Sequence, residues 1–581
     1  MDVATPASPP AAAPEGNPGR GGAGIWAGFG QTQRFLLLSI LIGLFAGLLV
    51  VCFHITIDFV SWATLGTPVG ASWTRTLLAP TLGGLAAVAL VRYVFRRARG
   101  SGVNHTKAAL YIFDGYVPFS TVIGKFIACS ISIGTGNSLG PEDPSLQMGA
   151  GVASLLGRAF GVDKEHMRLI APVGAAAGLA AAFNTPITAV LFVIETVVAA
   201  WDAGVLGSIL LSAVSAVVVI RWFLGDQPLF HAPSFQLTHP SELAIYAIVG
   251  IIGGLLAVLF VKLVGRLHGA LEKLPKRMAL AKPVVAGLLV GLAGLWLPQV
   301  MGAGYGAVDN ALRDQFVWQT LLALGLVKMV VTLLCFSAET PGGMFAPTIF
   351  TGAMIGGGIG ALAQIYWPFP TSSTGAYVLV GMGAFFAGVF RTPMTAIFMV
   401  FELSASYVII LPVMIASTIA YLISRQLQPV PFFELIARQE GVDLPSLEAQ
   451  RERQPLLVEN AMQRGTILTL SADMSVEAAL AALRSAALPH ALVSLERATW
   501  SSVALDDLES AVQQGHKGSP LRAALPLTPT PRLYPDLALD SALRLLGSHR
   551  LLPVLNRARP GQVLGLITLE DIHRAYGIPA A

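Results

Sequence analysis

The sequence predicts a polytopic all-α membrane protein with two related halves and broken, re-entrant helices, followed by a small cytoplasmic α/β pair of modules. Three observations predict it: too little charge to cover a soluble surface, an internal repeat, and a rise in charge towards the C-terminus. Of 581 residues, 54% are hydrophobic and 12% are charged, about half the roughly 25% of soluble domains. Mean hydropathy is +0.67. Residues 441–581 carry 27 charged side chains and residues 1–440 carry 43. The membrane part therefore comes first and the soluble part second.

The elements follow in order. Residues 1–30 are rich in Ala, Pro and Gly and are expected to form a disordered tail, with no cleavable signal pattern. A transmembrane domain is expected over 31–428, in halves of about 31–225 and 240–428, then a linker over 429–458. Apolar runs such as Phe35–Val51, Leu77–Val91, Ile170–Val198 and Tyr377–Phe401 supply the helices. Several are long enough to span roughly 30 Å of hydrocarbon at 1.5 Å per residue. Arg92, Arg96, Arg97 and Arg99 follow the second run. Basic residues favour the cytoplasmic side, so both termini are expected there. A net charge of +4 without interleaved basic and aromatic residues argues against a nucleic-acid partner. Cys52, Cys129 and Cys335 lie in apolar runs with no metal or disulfide spacing, and are read as small buried hydrophobes.

The repeat is legible directly. Phe183-Asn-Thr-Pro-Ile-Thr-Ala-Val-Leu-Phe-Val-Ile-Glu195 matches Phe390-Arg-Thr-Pro-Met-Thr-Ala-Ile-Phe-Met-Val-Phe-Glu402 at seven of thirteen positions, offset by 207. Upstream, Gly140-Pro-Glu-Asp-Pro144 matches Gly343-Met-Phe-Ala-Pro347, offset by 203. Repeats of this kind place a transport site at their interface, near the midplane, with broken helices pointing inward. The sequence does not show whether the repeat is inverted. In the soluble part, Leu470–Leu480 resembles Leu533–Leu543, and each stretch is followed by a short apolar strand.

Three Gly-rich turns open apolar helical runs: Gly100-Ser-Gly-Val-Asn104, Gly140–Pro144 and Gly343–Pro347. Glycine permits the tight turn, and an early proline suits a helix start. The unpaired N–H groups and the positive dipole end then face inward, each helix worth about 0.3–2 kcal/mol to an anion. Several aimed at one point hold an anion without a full cationic side chain, which would bind too tightly for rapid passage.

These turns resemble the Gly-Ser-Gly-Ile-Pro, Gly-x-Glu-Gly-Pro and Gly-x-Phe-x-Pro signatures of the CLC family of voltage-gated chloride channels and chloride/proton antiporters, in that order. The resemblance covers about residues 31–435. It is strongest over Gly134–Pro144, preceded by Lys125, and over Val173–Pro186. The C-terminal pair, 459–516 and 522–581, resembles CBS domains. The resemblance implies a homodimer with one pore per subunit in the bilayer, carrying chloride or a similar small anion, with protons as a second substrate in the antiporters. No cofactor and no enzymatic activity are implied. By position, Ser101 and the Gly102 turn, the amides of Met344 and Phe345, and the position of Phe433 would form the anion site, with Glu142 as the gating glutamate.

Departures bear on that reading. Asn104 replaces the family's proline, and Asp143 replaces a glycine beside the gate, adding an acid near an anion path. Thr196 stands where many antiporters carry an internal proton-transfer glutamate, with Glu195 preceding it. Phe433 stands where a tyrosine touches the anion, and phenylalanine has no donor. Both changes weaken coupling and leave channel and loosely coupled antiporter open. Because Glu195 and Glu402 repeat, a structural role is favoured for both. Lys125 either raises the anion potential or pairs with an acid. Thr568 and Asp571 match half of a ribose-binding pattern, so the C-terminal pair either holds an adenine nucleotide or is purely structural. The rival reading is a CBS-containing divalent-cation transporter, which would need clustered carboxylates instead of helix N-termini. An intramembrane metalloprotease would need a His-Glu-x-x-His helix, and none of the ten histidines makes one.

Overall fold

The computed structural model describes residues 31–577 except 67–71, 199–202, 227, 231, 233–236, 276–277, 443, 445–455, 466, 497–498, 548 and 560. The expected tail, 1–30, lies outside the described residues. The chain separates into two units, Met1–Leu447 and Glu448–Ala581.

The first unit is built of two series of helices in the same order. One runs α1 (Gln31–Leu65), α2 (Trp73–Ala89), α3 (Gly102–Tyr111), α4 (Phe119–Gly134), α5 (Glu142–Ala159), α6 (Lys164–Phe183), α7 (Pro186–Val193) and α8 (Ala203–Leu224). The other runs α9 (Glu242–Glu272), α10 (Ala281–Trp296), α11 (Tyr305–Leu312), α12 (Trp318–Ser337), α13 (Phe345–Tyr366), α14 (Thr374–Phe390), α15 (Pro393–Ser404) and α16 (Ile410–Leu427). A last short helix, α17 (Phe432–Gln439), closes the unit. Eight helices among the described residues are long and apolar enough to cross a membrane. This is an integral multi-pass membrane protein.

Two long apolar runs are each divided. Run 170–198 breaks at Asn184 and run 377–401 at Arg391, both left-handed, at φ 57° and 58°. Each break is followed by Thr-Pro, and the proline opens the next helix, where its missing N–H costs nothing. Apolar composition hides such a break because both pieces are buried.

The two halves exchange helix caps. The Glu195 carboxylate, just beyond α7, accepts from Met394 N (3.3 Å), Thr395 N (2.9 Å) and Thr395 Oγ1 (2.6 Å) at the start of α15. The Glu402 carboxylate, near the end of α15, accepts from Ile187 N (3.0 Å), Thr188 N (2.7 Å) and Thr188 Oγ1 (2.5 Å) at the start of α7. Each helix end meets the other's beginning, so α7 and α15 run antiparallel and the repeat is inverted.

The segment expected as a linker contains α17, which belongs to the membrane unit. Asn104 Nδ2 donates to Phe433 O at 3.0 Å, and Gln439 Nε2 to Gly265 O at 2.7 Å. Cys129 and Cys335 are buried as expected, but Cys52 is exposed on α1. An apolar run does not separate core-facing from lipid-facing positions, because both surroundings are apolar.

The second unit holds two modules. In the first, β1 (Thr469–Ser471) pairs parallel with β2 (His490–Glu496), which pairs antiparallel with β3 (Thr499–Ala504). In the second, β4 (Leu551–Leu555) pairs antiparallel with β5 (Val563–Thr568), and Leu533 bridges Val554 in parallel. Both modules therefore share one strand order, as their sequence repeat implies. Residues before the first module pack on the second: Val458 is buried with Leu533, Leu539 and Ile572.

Prediction for the caps. Glu402→Ala removes a charged acceptor from three donors, each such bond being worth about 1.5–3 kcal/mol. It should lower the thermal unfolding midpoint in detergent by several degrees, with Glu402→Gln milder because an acceptor oxygen remains. An unchanged midpoint in Glu402→Ala would refute the exchange of caps.

Candidate functional site

The site forms where α3, α5 and α13 begin. Gly140 N donates to Gly343 O at 2.8 Å and Gly343 N to Gly140 O at 2.7 Å, so the two repeated turns are joined directly. No side chain fits there. A Cβ on Gly140 would lie 2.2 Å from Glu142 Oε2 and 2.8 Å from Ala346 Cβ, and one on Gly343 would lie 2.8 Å from Asp143 Cβ. A Cβ on Gly102 would lie 2.4 Å from Asp143 O.

Glu142 opens α5 and is fully buried. Its carboxylate accepts from Ala346 N on the first turn of α13 at 3.3 Å and from the Tyr305 hydroxyl. Asp143, the next residue, turns to another helix. It accepts from Ser101 Oγ (3.2 Å), Gly102 N (2.8 Å) and Val103 N (3.0 Å) at the start of α3. The acid that the sequence places near an anion path is thus fully partnered. Ser101, expected to donate to the anion, donates to Asp143.

Ser101, Asp143, Gly343, Met344, Phe345 and Phe433 line one narrow space. The five expected anion-site positions are thus together, Gly102 joining through Asp143. Phe433 stacks on Phe390 (5.3 Å between centroids) and meets Phe345 edge-on (6.3 Å), so this wall is apolar. Asn104, departing from proline, ties α3 to the Phe433 backbone.

Lys125 is buried and donates from Nζ to Gly100 O at 2.6 Å, fixing the turn before Ser101. It also lines an adjoining recess with Arg99, Glu272, Glu339 and Glu440, and Ser101 borders both spaces. Glu195 and Thr196 line neither space. Thr196 sits on a π-turn, Ile194–Val198, and its hydroxyl has no hydrogen-bond partner among the described residues. In the second unit, Asp571 accepts from Thr568 N (2.9 Å), Thr568 Oγ1 (2.7 Å) and Gln463 Nε2 (2.9 Å).

Sequence reading missed two supports of Glu142. One is Tyr305 itself. The other is Lys328 of α12, fully buried, which donates to Val300 O (2.9 Å) and Gly302 O (2.6 Å) and so holds the loop that delivers Tyr305. A lysine inside an apolar run was the available signal, because a cation in hydrocarbon is costly and needs a purpose.

The profile of the voltage-gated chloride channel family matches residues 83–425. The chain belongs to that family. A putative chloride channel protein, ClcB-like, from Ralstonia nicotianae is 33% identical over 403 residues, covering 66% of this chain and 92% of the relative. An H(+)/Cl(−) exchange transporter, ClcA, from Vibrio campbellii is 30% identical over 439 residues, covering 73% and 92%. The solved structure of a slow cyanobacterial Cl−/H+ antiporter superposes with a TM-score of 0.63 at 24% identity, over 72% of this chain and 99% of that one. At that identity the likeness shows a common CLC fold.

Prediction for the turn. Gly140→Ala should push the Glu142 carboxylate off Ala346 N, since the carboxylate is the mobile partner in the clash. Overpacking of this kind costs about 1–3 kcal/mol. A structure of the variant is the check, and an unmoved carboxylate would overturn the steric argument.

Proposed function

We propose that this chain moves chloride or another small anion across a bilayer along the path between the starts of α3, α5 and α13, with Glu142 as the gate. The observation that carries the reading is the seat of the Glu142 carboxylate. It lies fully buried on an inward-facing amide of α13, at the junction of the two inverted halves. An ionised carboxylate there occupies an anion's place. When protonated it needs the amide less and can leave, and an anion can enter.

The named relatives support an anion as the cargo: one is a putative chloride channel and one exchanges protons for chloride. Two features of this chain favour loose coupling. Thr196 does not titrate where an internal proton donor is expected, and Phe433 leaves the inner wall without a hydroxyl. The functional unit is a homodimer with one pore in each subunit, and both termini are cytoplasmic, as the basic loop at Arg92–Arg99 favours.

Prediction for transport. Liposomes containing the protein should release chloride. With opposed chloride and proton gradients, the reversal potential should lie nearer the chloride Nernst potential than strict exchange allows. Glu142→Gln should still pass chloride and should show no coupled proton uptake. Proton uptake persisting in that variant removes Glu142 from the gate. Liposomes that release no chloride remove the reading altogether.

A further inference from the structure

Glu142 and Asp143 are neighbours on the first turn of α5, yet they serve different helices. Asp143 takes three donors at the start of α3: Ser101 Oγ, Gly102 N and Val103 N, all within 3.2 Å. This is an unusual cap. Ser101 itself occupies the N-cap position of α3, where a serine oxygen ordinarily accepts from its own helix. Here its hydroxyl donates instead, to a carboxylate supplied from α5. Asp143 also borders the narrow space lined by Met344, Phe345 and Phe433. It presents to these donors what a dehydrated halide would present: one negative charge that accepts from converging N–H and O–H groups.

We propose that the Asp143 carboxylate is a tethered anion that fills the inner binding place at rest, and that the transported anion reaches Ser101 and the α3 amides only by displacing it. The proposal rests on the anion-transport reading above. Ordinary capping of α3 makes a different prediction, because removing a mere cap lowers stability and leaves anion affinity alone. A tether makes the free anion compete with a carboxylate that is always present, so intrinsic affinity is low and is set by this one residue. It also makes Ser101 silent to the free anion while Asp143 holds it. Two successive carboxylates then guard the path, one seated on α13 and one on α3.

The test is a chloride titration of the full-length protein in detergent by calorimetry, with liposome efflux run in parallel. Asp143→Gly and Asp143→Asn should each bind chloride at least about tenfold more tightly, the effect of removing one like charge a few ångströms away. Ser101→Ala should weaken chloride binding severalfold in the Asp143→Gly background and distinctly less in wild type, where it also loosens the competing carboxylate, a coupling that capping alone does not produce. Asp143→Asn keeps the size and one acceptor oxygen, so it carries the test if Asp143→Gly fails to fold. Chloride affinity in the folded Asp143 variants that is within twofold of wild type, or weaker, overturns the tether. Wild-type liposomes that move chloride, together with unchanged affinity in the variants, defeat this inference alone; wild-type liposomes that move none defeat the transport reading beneath it.

Discussion

Backbone N–H groups at interrupted helix ends need partners, and at membrane depth there is little water to supply them. That requirement organises the first unit. The beginnings of α5 and α13 are sewn together by the reciprocal Gly140 and Gly343 bonds. The next donors, Ala346 N on α13 and the first amides of α3, are taken by two carboxylates from a single turn of α5. Each carboxylate is stable there because the amides face it. The geometry that satisfies the backbone is the same geometry on which the proposed anion path rests.

Around this junction, buried polar groups act mainly on backbone. Lys328 holds the loop that delivers Tyr305, Lys125 holds the turn before Ser101, and Asn137 Nδ2 bonds Pro80 O and Ser132 O, both at 3.1 Å, just ahead of α5. Glu242, at the start of α9, is fully buried and satisfied by Tyr246, Tyr377 and Ser372. Each such group would be costly in an apolar interior if unpaired. Paired, each fixes one irregular segment between packed helices.

Much of this was legible in the amino-acid order. Charge depletion gave the membrane class, and the two offsets near 200 gave the halves, because duplicated turns keep their Gly and Pro where backbone geometry demands them. The convergence of Ser101, Gly102, Glu142, Met344 and Phe345 followed from those turns. What stayed hidden depends on reach across space. Asp143 reads as a repulsive intruder until its three donors on α3 are seen. Tyr305 and Lys328 are distant in sequence from Glu142. Run 170–198 reads as one apolar stretch, and composition does not show that Asn184 turns left-handed within it. The direction of the repeat emerges only from which helix end Glu195 and Glu402 touch.

The Glu195 and Glu402 contacts make the two halves depend on each other. A glutamate placed at the tail of this short helix cannot serve its own first turn; it serves the first turn of an oppositely directed copy. A solitary half would therefore be incomplete, with a carboxylate lacking its amides and amides lacking their carboxylate. In the present polypeptide both copies are joined covalently, so each helix start always has the other's carboxylate within reach.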